Sequence, residues 1–400
     1  MKISLIGIGM DGIHTLTREA EHAIAESEIL IGAERMLAPF RNSGKEMLIS
    51  YQAQEIADFL HTSEKSSACV LLSGDVGFYS GAEKLRILLK EHTVQVYSGI
   101  ASPVYFANKL GIPWENMKFI SLHGKENHIA VHIRQNLYCF FLLGGTVTAE
   151  SVCQRLCEYG MKNIKIHIGQ RLGYPEERIF SGTAGEFRTL STAPLSVLIA
   201  ENPDFCRYTP FLIPEADFYH ASVPEHIPIT KAEIRHLAVA SLEIEKNHIC
   251  WDIGAGTGSV SVELARLCPD GKVYALDKQA SACKLTDLNA HKFGCDNIRI
   301  FQGTAPEALA DFPAPDRVFI GGSSGNMKEI LKIIFLKNPS AKITLTAVTL
   351  ETLENAVHAF LDFGKEPSIT QIAVTRTRKA GHTTMLNALN PIFLIWGTLS

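Results

Sequence analysis

The stretch that most constrains the fold is residues 248–267, where an apolar strand passes directly into an amphipathic helix. Asp252 stands near the end of this strand. The turn that follows carries three glycines at alternate positions, Gly254, Gly256 and Gly258. Glycines let the backbone lie against a ligand without a Cβ in the way, and the helix N-terminus offers free N–H groups. The stretch therefore predicts an α/β domain with a small-molecule site at a strand end.

The order of the glycines distinguishes between classes of ligand. The pattern is D-x-G-x-G-x-G, whereas a dinucleotide turn reads G-x-G-x-x-G. The next predicted strand, 272–276, ends in Asp277, 21 residues after Gly256, where a carboxylate is placed to accept ribose hydroxyls. Three glycines also suit an ordinary strand-turn-helix, but the acidic residue favours a ligand site. The turn resembles the first motif of class I methyltransferases, which bind S-adenosylmethionine.

Length and composition limit the remaining possibilities. A chain of 400 residues exceeds what one core usually holds, so two domains are expected. The net charge of −4 argues against a nucleic-acid-binding protein, which would be expected to be strongly basic. Nine cysteines without a C-x-x-C pair indicate reduced thiols in the cytoplasm. Glycines follow the start too early for a signal peptide and no apolar run approaches bilayer length, so we expect no membrane partner.

The first half opens with a β-branched strand and the sequence Gly7-Ile-Gly-Met-Asp-Gly. This matches G-x-G-x-x-G, but a single match is weak evidence. The following helix begins late, near Arg18, with Thr15 or Thr17 as its cap. The loop is therefore too long to place a pyrophosphate on the helix N-terminus, which argues against nicotinamide and flavin cofactors.

Two further strand ends in the first half are rich in small residues. Strand 68–72 runs into the glycine-containing segment 73–81, and strand 94–97 runs into segment 98–103. In open α/β sheets, ligands bind outside the carboxyl ends of the strands. These segments predict a second ligand site.

A proline-rich stretch separates the two halves. Residues 201–229 lack helical or strand periodicity and contain five prolines. Helical periodicity resumes at residues 231–242, with Thr230 as expected N-cap and Glu233 completing a capping box. We therefore expect domains at 1–213 and 230–400, joined by a linker at 214–229. The second should form a seven-stranded, mostly parallel sheet with an antiparallel last strand.

Residue motifs connect both halves to known families. Residues 1–210 resemble tetrapyrrole methylases of the corrinoid pathway in the motifs Leu5-Ile-Gly-Ile-Gly, Ser73-Gly-Asp-Val-Gly-Phe-Tyr, Gly99-Ile-Ala-Ser, Ser121-Leu-His-Gly-Lys and Pro194-Leu-Ser-Val. Residues 224–400 resemble the C15-methylating, decarboxylating enzymes of that pathway in Pro228-Ile-Thr-Lys, the glycine turn, Gly303-Thr-Ala-Pro-Glu and Asp316-Arg-Val-Phe-Ile-Gly-Gly. In this order the halves resemble the fused methyltransferases of cobalamin biosynthesis.

The resemblance implies a fold, an activity and a substrate. It implies a two-lobed class III methyltransferase domain followed by a Rossmann-like class I domain. It further implies S-adenosylmethionine-dependent methylation of C5 and C15 of a precorrin or cobalt-precorrin, with loss of the ring C acetate carboxylate. Whether the ring already holds cobalt, and which methylation comes first, stay open. We also expect a homo-oligomer.

The resemblance places one cofactor site in each domain. In the first half the family's contacts fall on Met10, Gly74, Asp75, Val76, Tyr79, Ala101 and Ser102. Val76 replaces a frequent proline, and Ala101 replaces a frequent serine or threonine. In the second half they fall on Thr230, Gly254, Ala255, Gly256, Thr257, Gly258, Asp277 and Ala305. Family members often have glutamate at position 277, and either carboxylate can accept ribose hydroxyls.

Methylation of a tetrapyrrole depends more on residues that bind the substrate than on residues that act as acids or bases. Ring carbons of the tetrapyrrole are already nucleophilic, so alignment in a dry site supplies most of the rate, and we assign no catalytic residue. The many substrate carboxylates call for cationic groups. Candidates are His123 and Lys125 in the first half and Arg376, Arg378, Lys379 and His382 in the second. Each of these also fits a solvated surface charge.

Some residues of the chain also fit other functions. His128 and His132 lie four apart, as metal ligands on a helix do, but lack a third ligand nearby, so we expect no metal. Asn202-Pro-Asp-Phe and Asn390-Pro-Ile-Phe resemble a motif of amino-methylating nucleic-acid enzymes. That motif belongs after the fourth strand, where this chain has Gly321-Gly-Ser-Ser. A nucleic-acid methyltransferase and a non-catalytic sensor of S-adenosylmethionine remain the alternatives.

Overall fold

The computed structural model of the chain describes residues 1–123, 127–206, 213–220 and 227–400. The chain forms two compact units. The first unit holds Met1–Glu126, Leu137–Gln154 and Asn163–Asn202, and the second holds Asn127–Asn136, Arg155–Lys162 and Pro203–Ser400. Two short segments from the first half of the sequence thus belong to the second unit.

The first unit begins with a five-stranded parallel sheet within the described residues. Its strands are β1 (Lys2–Gly7), β2 (Ile29–Gly32), β3 (Glu46–Ile49), β4 (Ser67–Leu72) and β5 (Thr93–Tyr97), in the order β3-β2-β4-β1-β5. Its helices are α1 (Arg18–Glu26), α2 (Glu34–Leu37), α3 (Ala53–Thr62), α4 (Ala82–Leu88) and α5 (Ser102–Leu110), and Ala38–Phe40 forms a 3-10 turn. Because β1 pairs with both β4 and β5, the carboxyl ends of these three strands are adjacent.

A second sheet of mixed direction completes the first unit. Its strands are β6 (Lys118–Ser121), β7 (Tyr138–Leu142), β8 (Lys165–Gln170), β9 (Arg178–Thr183) and β10 (Ser196–Glu201), in the order β6-β7-β10-β8-β9. The pairing of β6 with β7 is parallel, and the other pairings are antiparallel. Between these strands in the sequence lie α6 (Ala130–Gln135), α7 (Ala149–Glu158) and α8 (Ala184–Phe187). Of these, α6 and the last residues of α7 belong to the second unit. The two sheets correspond to the expected two lobes.

The second unit contains a seven-stranded sheet among its described residues. Its strands include β11 (Ile249–Ile253), β12 (Lys272–Asp277), β13 (Ile298–Gln302), β14 (Arg317–Ile320), β15 (Lys342–Ala347) and β16 (Ser368–Ile372). Strands β17 (Thr375–Ala380) and β18 (Thr383–Ala388) form a separate hairpin, and β19 (Ile392–Gly397) returns to the sheet. The order is β13-β12-β11-β14-β15-β19-β16, with β19 antiparallel to both neighbours. The prediction of a mostly parallel sheet with an antiparallel last strand is confirmed.

Helices cover both faces of this sheet. They are α9 (Ala232–Ser241), α10 (Ser259–Leu267), α11 (Ala280–Phe293), α12 (Met327–Lys337) and α13 (Leu350–Leu361), with 3-10 turns at Glu215–Asp217 and Glu307–Leu309. Successive strand residues point to opposite faces, so Trp251 joins one apolar cluster while Cys250 joins the other. Burial on both faces explains why the central strands are almost continuously apolar.

The start of α9 differs from the expected capping box. The helix begins at Ala232, with Lys231 in the cap position and no side-chain cap. The N–H of Ala232 donates instead to the carboxylate of Glu215, at 2.8 Å. Glu233 is held by Arg376 rather than by its own helix terminus. A carboxylate from a distant segment therefore replaces the local cap that the sequence pattern favoured.

The last strands also begin and end differently from the expected boundaries. The sequence predicts a single strand over 372–377, whereas β16 ends at Ile372 and the hairpin begins at Thr375. β-branched residues continue across this break, at Ile372, Val374, Thr375 and Thr377. Such residues favour extended backbone, and they do not indicate which partner strand the backbone pairs with.

The described helices are short. The longest, α11, has 14 residues, and α13 has 12. A helix that spans a bilayer needs about 20 consecutive, predominantly apolar residues. None of the described helices meets the length and apolarity that crossing a membrane requires.

Candidate functional site

The glycine turn after β11 is the centre of the site in the second unit. Gly254, Gly256 and Gly258 all have positive φ, at +77°, +58° and +74°. A Cβ on Gly254 would lie 2.8 Å from the backbone nitrogen of Gly322, and one on Gly258 would lie 2.7 Å from the Thr286 side chain. A Cβ on Gly256 would meet the Pro228 carbonyl oxygen at 3.1 Å. The outer glycines pack against protein, whereas Gly256 lies at the surface of a cavity.

Asp277 is fixed against this turn by two backbone donors. Its Oδ2 accepts from the N–H of Gly256 at 2.9 Å, and its Oδ1 accepts from the N–H of Gln279 at 2.9 Å. A carboxylate has about four acceptor positions, so lone pairs remain for further donors. The β12 end therefore presents an oriented acceptor beside the glycine turn.

The cavity at the turn has a volume of ≈ 500 Å³, within the range of small-molecule sites. Six of the predicted cofactor residues line it: Thr230, Gly254, Ala255, Gly256, Asp277 and Ala305. Thr257 and Gly258 do not. Thr257 is buried below the turn, where its carbonyl accepts from Asn289 Nδ2 at 2.8 Å. Gly258 takes the cap position of α10.

Several lining residues were missed by the sequence reasoning. Two of them, Lys231 and Lys278, are charged, and with the predicted Asp277 they are the three charged residues among the described residues that line the cavity. The Lys278 Nζ donates to the Ser324 hydroxyl at 3.2 Å. Asn390 lines the cavity too, although its tetrapeptide was considered only as a nucleic-acid motif. Proximity to Asp277 could have indicated Lys278, whereas no local pattern marked Asn390.

Asp252, the acidic residue of the turn motif, lies inside the second unit. It is 0% exposed, and its Oδ2 accepts from the hydroxyl of Ser261 on α10. The Oδ1 has no hydrogen-bond partner in the described part of the chain. Burial raises the pKa of the Asp252 carboxyl to about 7. The side chain thus joins β11 to α10 behind the turn and does not line the cavity.

Arg376 is engaged by two carboxylates. Its guanidinium donates to Glu215 at 2.7 and 3.1 Å and to Glu233 at 2.9 Å. The hydrogen bond from Arg376 lowers the pKa of Glu215 to about 2, and the two glutamates raise the pKa of Arg376 itself. The other predicted hairpin residues, Arg378, Lys379 and His382, are exposed and do not line the cavity.

Three strand-end loops meet in the first unit. A Cβ on Gly7 would lie 2.7 Å from the Gly74 carbonyl oxygen and 2.8 Å from the Gly99 nitrogen. A Cβ on Gly99 would overlap the carbonyl oxygens of both Gly74 and Gly7. Gly9 and Gly74 also exchange backbone hydrogen bonds, at 3.1 and 2.9 Å. The carboxyl ends of β1, β4 and β5 therefore pack backbone to backbone.

Predicted residues of the first cofactor site lie around this junction. The Asp75 carboxylate accepts from the N–H groups of Gly77 at 2.8 Å and Gly99 at 3.0 Å, which joins the β4 and β5 loops. Gly74 faces Ala101, since a Cβ on Gly74 would lie 3.7 Å from the Ala101 Cα. Ala101 caps α5, and Ser102 is the first residue of that helix.

Met10 lies at the same strand end but points inward. Its side chain is buried, and its N–H donates to the Thr15 hydroxyl at 2.8 Å. A Cβ on Gly173 would overlap the Met10 Cβ, so the loop between β8 and β9 packs directly on this residue. Thr17, the other candidate cap, accepts from the N–H of Ala20 and begins α1.

A second cavity, of ≈ 690 Å³, lies in the first unit. Val76, Tyr79 and His123 line it, together with Glu83 and Arg86, which the sequence reasoning missed. Met10, Gly74, Asp75, Ala101 and Ser102 are not among its lining residues. A Cβ on Gly144 would overlap the His123 ring, so that glycine makes room for the imidazole. Lys125 lies outside the described residues.

The two histidines considered as metal ligands do not share a helix. Helix α6 begins at Ala130, so His128 precedes it while His132 lies within it. Both side chains are buried, and His132 Nε2 lies 3.4 Å from Asp270 Oδ1. Helical spacing therefore does not relate the two rings.

Two family models match the chain, one in each half. The model described as tetrapyrrole (corrin/porphyrin) methylases matches residues 2–188. The model described as precorrin methyltransferase domain matches residues 224–398. The order of the two matches agrees with the resemblance that the motifs indicated.

Named relatives match either the second half or most of the chain. The probable cobalt-precorrin-6B C(15)-methyltransferase (decarboxylating) of Pyrobaculum calidifontis is 40% identical over 46% of this chain and 93% of its own length. The precorrin-6Y C(5,15)-methyltransferase [decarboxylating] of a Sinorhizobium species is 25% identical over 87% of this chain and 85% of its own length. A solved structure of precorrin-6y C5,15-methyltransferase from Geobacter metallireducens is 34% identical, with a TM-score of 0.44, over 47% of this chain and 98% of that chain.

Proposed function

Because the chain belongs to the family of decarboxylating precorrin methyltransferases, we propose that it methylates C5 and C15 of a precorrin and removes the ring C acetate carboxylate. The observation that carries the proposal is the presence of a tetrapyrrole methylase match and a precorrin methyltransferase match in one chain. The chain is thus an enzyme of cobalamin biosynthesis. A nucleic-acid methyltransferase and a non-catalytic sensor are no longer needed to explain its motifs.

The methyl donor is S-adenosylmethionine, and we propose one binding site in each domain. It supplies an electrophilic methyl group on a sulfonium. In the second unit, Gly256 in the cavity wall and the oriented carboxylate of Asp277 fit a ligand with a ribose. In the first unit, the junction of Gly74, Asp75 and Ala101 provides a comparable strand-end position. This assignment is supported by geometry and by position in the family motifs.

In the second site, the residues bind, orient and exclude water. Asp277 accepts from hydroxyl groups, while the backbone of Gly254, Ala255 and Gly256 forms part of the cavity wall beside it. Apolar side chains of Ile227, Val348 and Ile392 line the same cavity. A carboxylate held against apolar groups is poorly solvated, which favours its loss as carbon dioxide. We therefore assign methylation of C15 and decarboxylation to the domain at residues 230–400.

We therefore assign methylation of C5 to the domain at residues 1–213. Residues 214–229 connect the two domains. The two carbons lie far apart on one large, nearly flat ring, so a single small cavity cannot present both. Two cavities of different construction can. Alignment of the ring carbon with the methyl donor in each is the main contribution that these residues make.

Substrate carboxylates require cationic groups at both sites. We propose His123 and Lys125 for the first domain and the hairpin residues Arg378, Lys379 and His382 for the second. Arg376 differs from these, since two glutamates already occupy its guanidinium. We propose that Arg376 contributes by fixing the hairpin on which the other cations stand.

Location and assembly are further proposals. All nine cysteines are free thiols, which fits the reducing environment of the cytoplasm. The hairpin exposes Met385 and Leu386, at 53% and 77%, and apolar side chains so exposed favour contact between copies of the chain. Sedimentation of the purified chain tests the expected homo-oligomer.

The experiment that tests the proposed function uses the full-length chain. Calorimetry with S-adenosylhomocysteine should give two sites per chain. Incubation with precorrin and cobalt-precorrin substrates, followed by mass spectrometry, should show two methyl groups gained and one carbon dioxide lost. The Gly256→Val variant should stop the C15 methylation and the decarboxylation together. Retained decarboxylation in that variant would move this step to the first domain.

A further inference from the structure

Arg35 occupies a position at the carboxyl edge of the first sheet that no function so far explains. It is the second residue of α2, directly after β2, and it is half-buried. Its Nη1 donates to the Tyr174 hydroxyl at 2.9 Å, and its Nη2 donates to the Ser73 hydroxyl at 2.9 Å. Its guanidinium therefore spans two segments that are about 100 residues apart in sequence.

Ser73 places one end of this bridge in the candidate cofactor site. It follows β4 and directly precedes Gly74, whose backbone is bonded to Gly9. The contact between Arg35 and Ser73 is exposed to solvent. The guanidinium thus lies beside the junction of strand ends, on a side that a ligand can reach.

Tyr174 at the other end stands on a well-held loop between β8 and β9. Within this loop the N–H of Gly173 donates to Glu177 Oε2 at 2.7 Å. Glu177 also accepts from the Tyr105 hydroxyl at 3.0 Å and pairs with Lys109 at 3.2 Å. The loop therefore holds the Tyr174 hydroxyl, and through it the Arg35 side chain, in one position.

The charge of Arg35 is not compensated within the described residues. Both of its hydrogen-bond partners are neutral hydroxyls, and no carboxylate of the described chain pairs with it. Arg376 and Arg235, in contrast, pair with glutamates. The two contacts use two of the five N–H donors of a guanidinium, so donors remain for a planar anion. A pre-oriented, uncompensated guanidinium is suited to a carboxylate.

We propose that Arg35 binds a carboxylate of the ligand at the first site, with Ser73 and Tyr174 orienting its guanidinium. The proposal rests on the proposed function and adds a specificity residue to it. The carboxylate comes from an acetate or propionate arm of the tetrapyrrole or from the amino-acid part of the cofactor. Each presents the same planar, charged acceptor. Fixing the guanidinium in advance reduces the entropy lost on binding.

The test compares Arg35→Gln with Arg41→Gln in the full-length chain. Arg41 is a matched control, because it lies six residues away, is exposed and already pairs with Glu34. For Arg35→Gln, the KM in C5 methylation for the ligand that carries the carboxylate, either the tetrapyrrole or the cofactor, should rise by about ten-fold or more, the factor that corresponds to about 1.4 kcal/mol, with kcat little changed. Arg41→Gln should match the parent. The second cofactor site serves as an internal reference.

Two ligands distinguish the sources of the carboxylate. S-adenosylhomocysteine carries an amino-acid carboxylate, whereas 5′-methylthioadenosine lacks it. If the cofactor is the source, Arg35→Gln weakens the first-site binding of S-adenosylhomocysteine and leaves that of methylthioadenosine unchanged. If the tetrapyrrole is the source, both Kd values stay at the parental level and the tetrapyrrole KM rises.

Salt dependence and conservative variants separate recognition from a structural role. A charge contact weakens with ionic strength, so KM should depend less steeply on sodium chloride in Arg35→Gln than in the parent, while Arg35→Lys should keep the parental slope. Tyr174→Phe should raise KM by a smaller factor with the fold retained. If Arg35→Gln does not fold, the KM of Tyr174→Phe tests the proposal in its place. Parental KM, Kd and salt slopes in the folded variants would overturn the proposal. Absence of C5 methylation in the parent itself would instead contradict the proposed function.

Discussion

The two strand-end sites of this chain use glycine for different purposes. In the first unit, Gly7 and Gly99 bring three loops so close that a Cβ on either would meet another loop's backbone. In the second unit, a single turn carries the site, and a Cβ on Gly256 meets one carbonyl oxygen at 3.1 Å. The first site is a backbone junction, and the second is a cavity beside a turn.

This difference predicts how folding and binding depend on each other. Where glycines fill a junction, a substitution shifts backbone in several loops at once, so binding and local stability fall together. Where a glycine faces a cavity, a substitution mainly occupies ligand space, so binding falls while the fold persists. Substitutions in the two sites therefore test the comparison directly.

The largest effect is expected for Gly99→Ala in the first unit. The added Cβ overlaps the carbonyl oxygens of Gly7 and Gly74, and backbone atoms cannot rotate away as a side-chain end can. We expect a local destabilisation of about 3 kcal/mol or more, the upper end for overpacking, together with loss of the first ligand site. Hydrogen exchange of peptides from β1, β4 and β5 measures it.

Gly81→Ala is the matched control for this substitution. Gly81 lies in the same unit at negative φ, and no atom lies within 4 Å of its added Cβ. Exchange in the three strands should stay at the parental rate in this variant. Slow exchange in Gly99→Ala as well would show that the junction has room for a side chain and that the comparison is wrong.

The second effect is expected for Gly256→Val, which should remove ligand binding from the second site without unfolding the unit. Its φ of +58° costs a non-glycine residue about 1–2 kcal/mol, and the side chain enters the cavity. Calorimetry with S-adenosylhomocysteine should detect only the first site. Gly381→Val has nearly the same φ, +59°, in open space, so it should show a comparable backbone cost and retain both sites. Equal binding by the two valine variants would contradict the assignment of the cavity.

A third, smaller effect concerns Arg376 at the base of the hairpin. Arg376→Gln should reduce stability by about 1 kcal/mol at neutral pH, because this pair of contacts is partly exposed. Arg376 holds the pKa of Glu215 at about 2, below its ordinary 4.5. A carboxyl group with a lowered pKa stabilises the folded state above pH 4.5, and this stabilisation is lost as the pH falls toward 2. The difference between parent and variant should therefore shrink over this range.

Denaturant unfolding at several pH values measures this difference. Arg378→Gln is the control, since Arg378 lies two residues along the same strand and is exposed. Its stability should follow that of the parent at every pH. A constant difference between the parent and Arg376→Gln from neutral pH to pH 2 would show that the ion pairs do not carry the effect.

A fourth effect, which develops only as the pH rises, is expected for Asp252→Asn, behind the glycine turn. Burial raises the pKa of Asp252 to about 7, so the folded state holds the proton more tightly than the unfolded state. The stability that comes from this tighter proton binding is fully present below pH 3.8 and is lost as the pH rises through about 7. Asparagine cannot ionise, so Tm of the variant relative to the parent should increase between pH 4 and pH 7. The exposed substitution Asp311→Asn should show no such trend, and a flat difference for Asp252→Asn would contradict the raised pKa.

Much of the fold followed from local patterns in the sequence. The seven-stranded sheet was predictable because buried parallel strands are continuously apolar and alternate with amphipathic helices. Only the end of this pattern was wrong, at residues 372–377, because β-branched residues continue from β16 into the hairpin. The cap of α9 was wrong for a related reason, because Glu215 satisfies the Ala232 N–H from outside the helix.

The sequence by itself determined where the strands end and which glycines and carboxylates stand there, because turn chemistry is local. Asp277, at its fixed distance from Gly256, is an example. Only the tertiary structure decided which distant groups complete each site. Asn390 reaches the second cavity because β19 pairs antiparallel with β15, and Arg35 meets Tyr174 because the β8–β9 loop packs on Met10. Contacts of this kind depend on strand pairing and packing between remote segments, which no local spacing encodes.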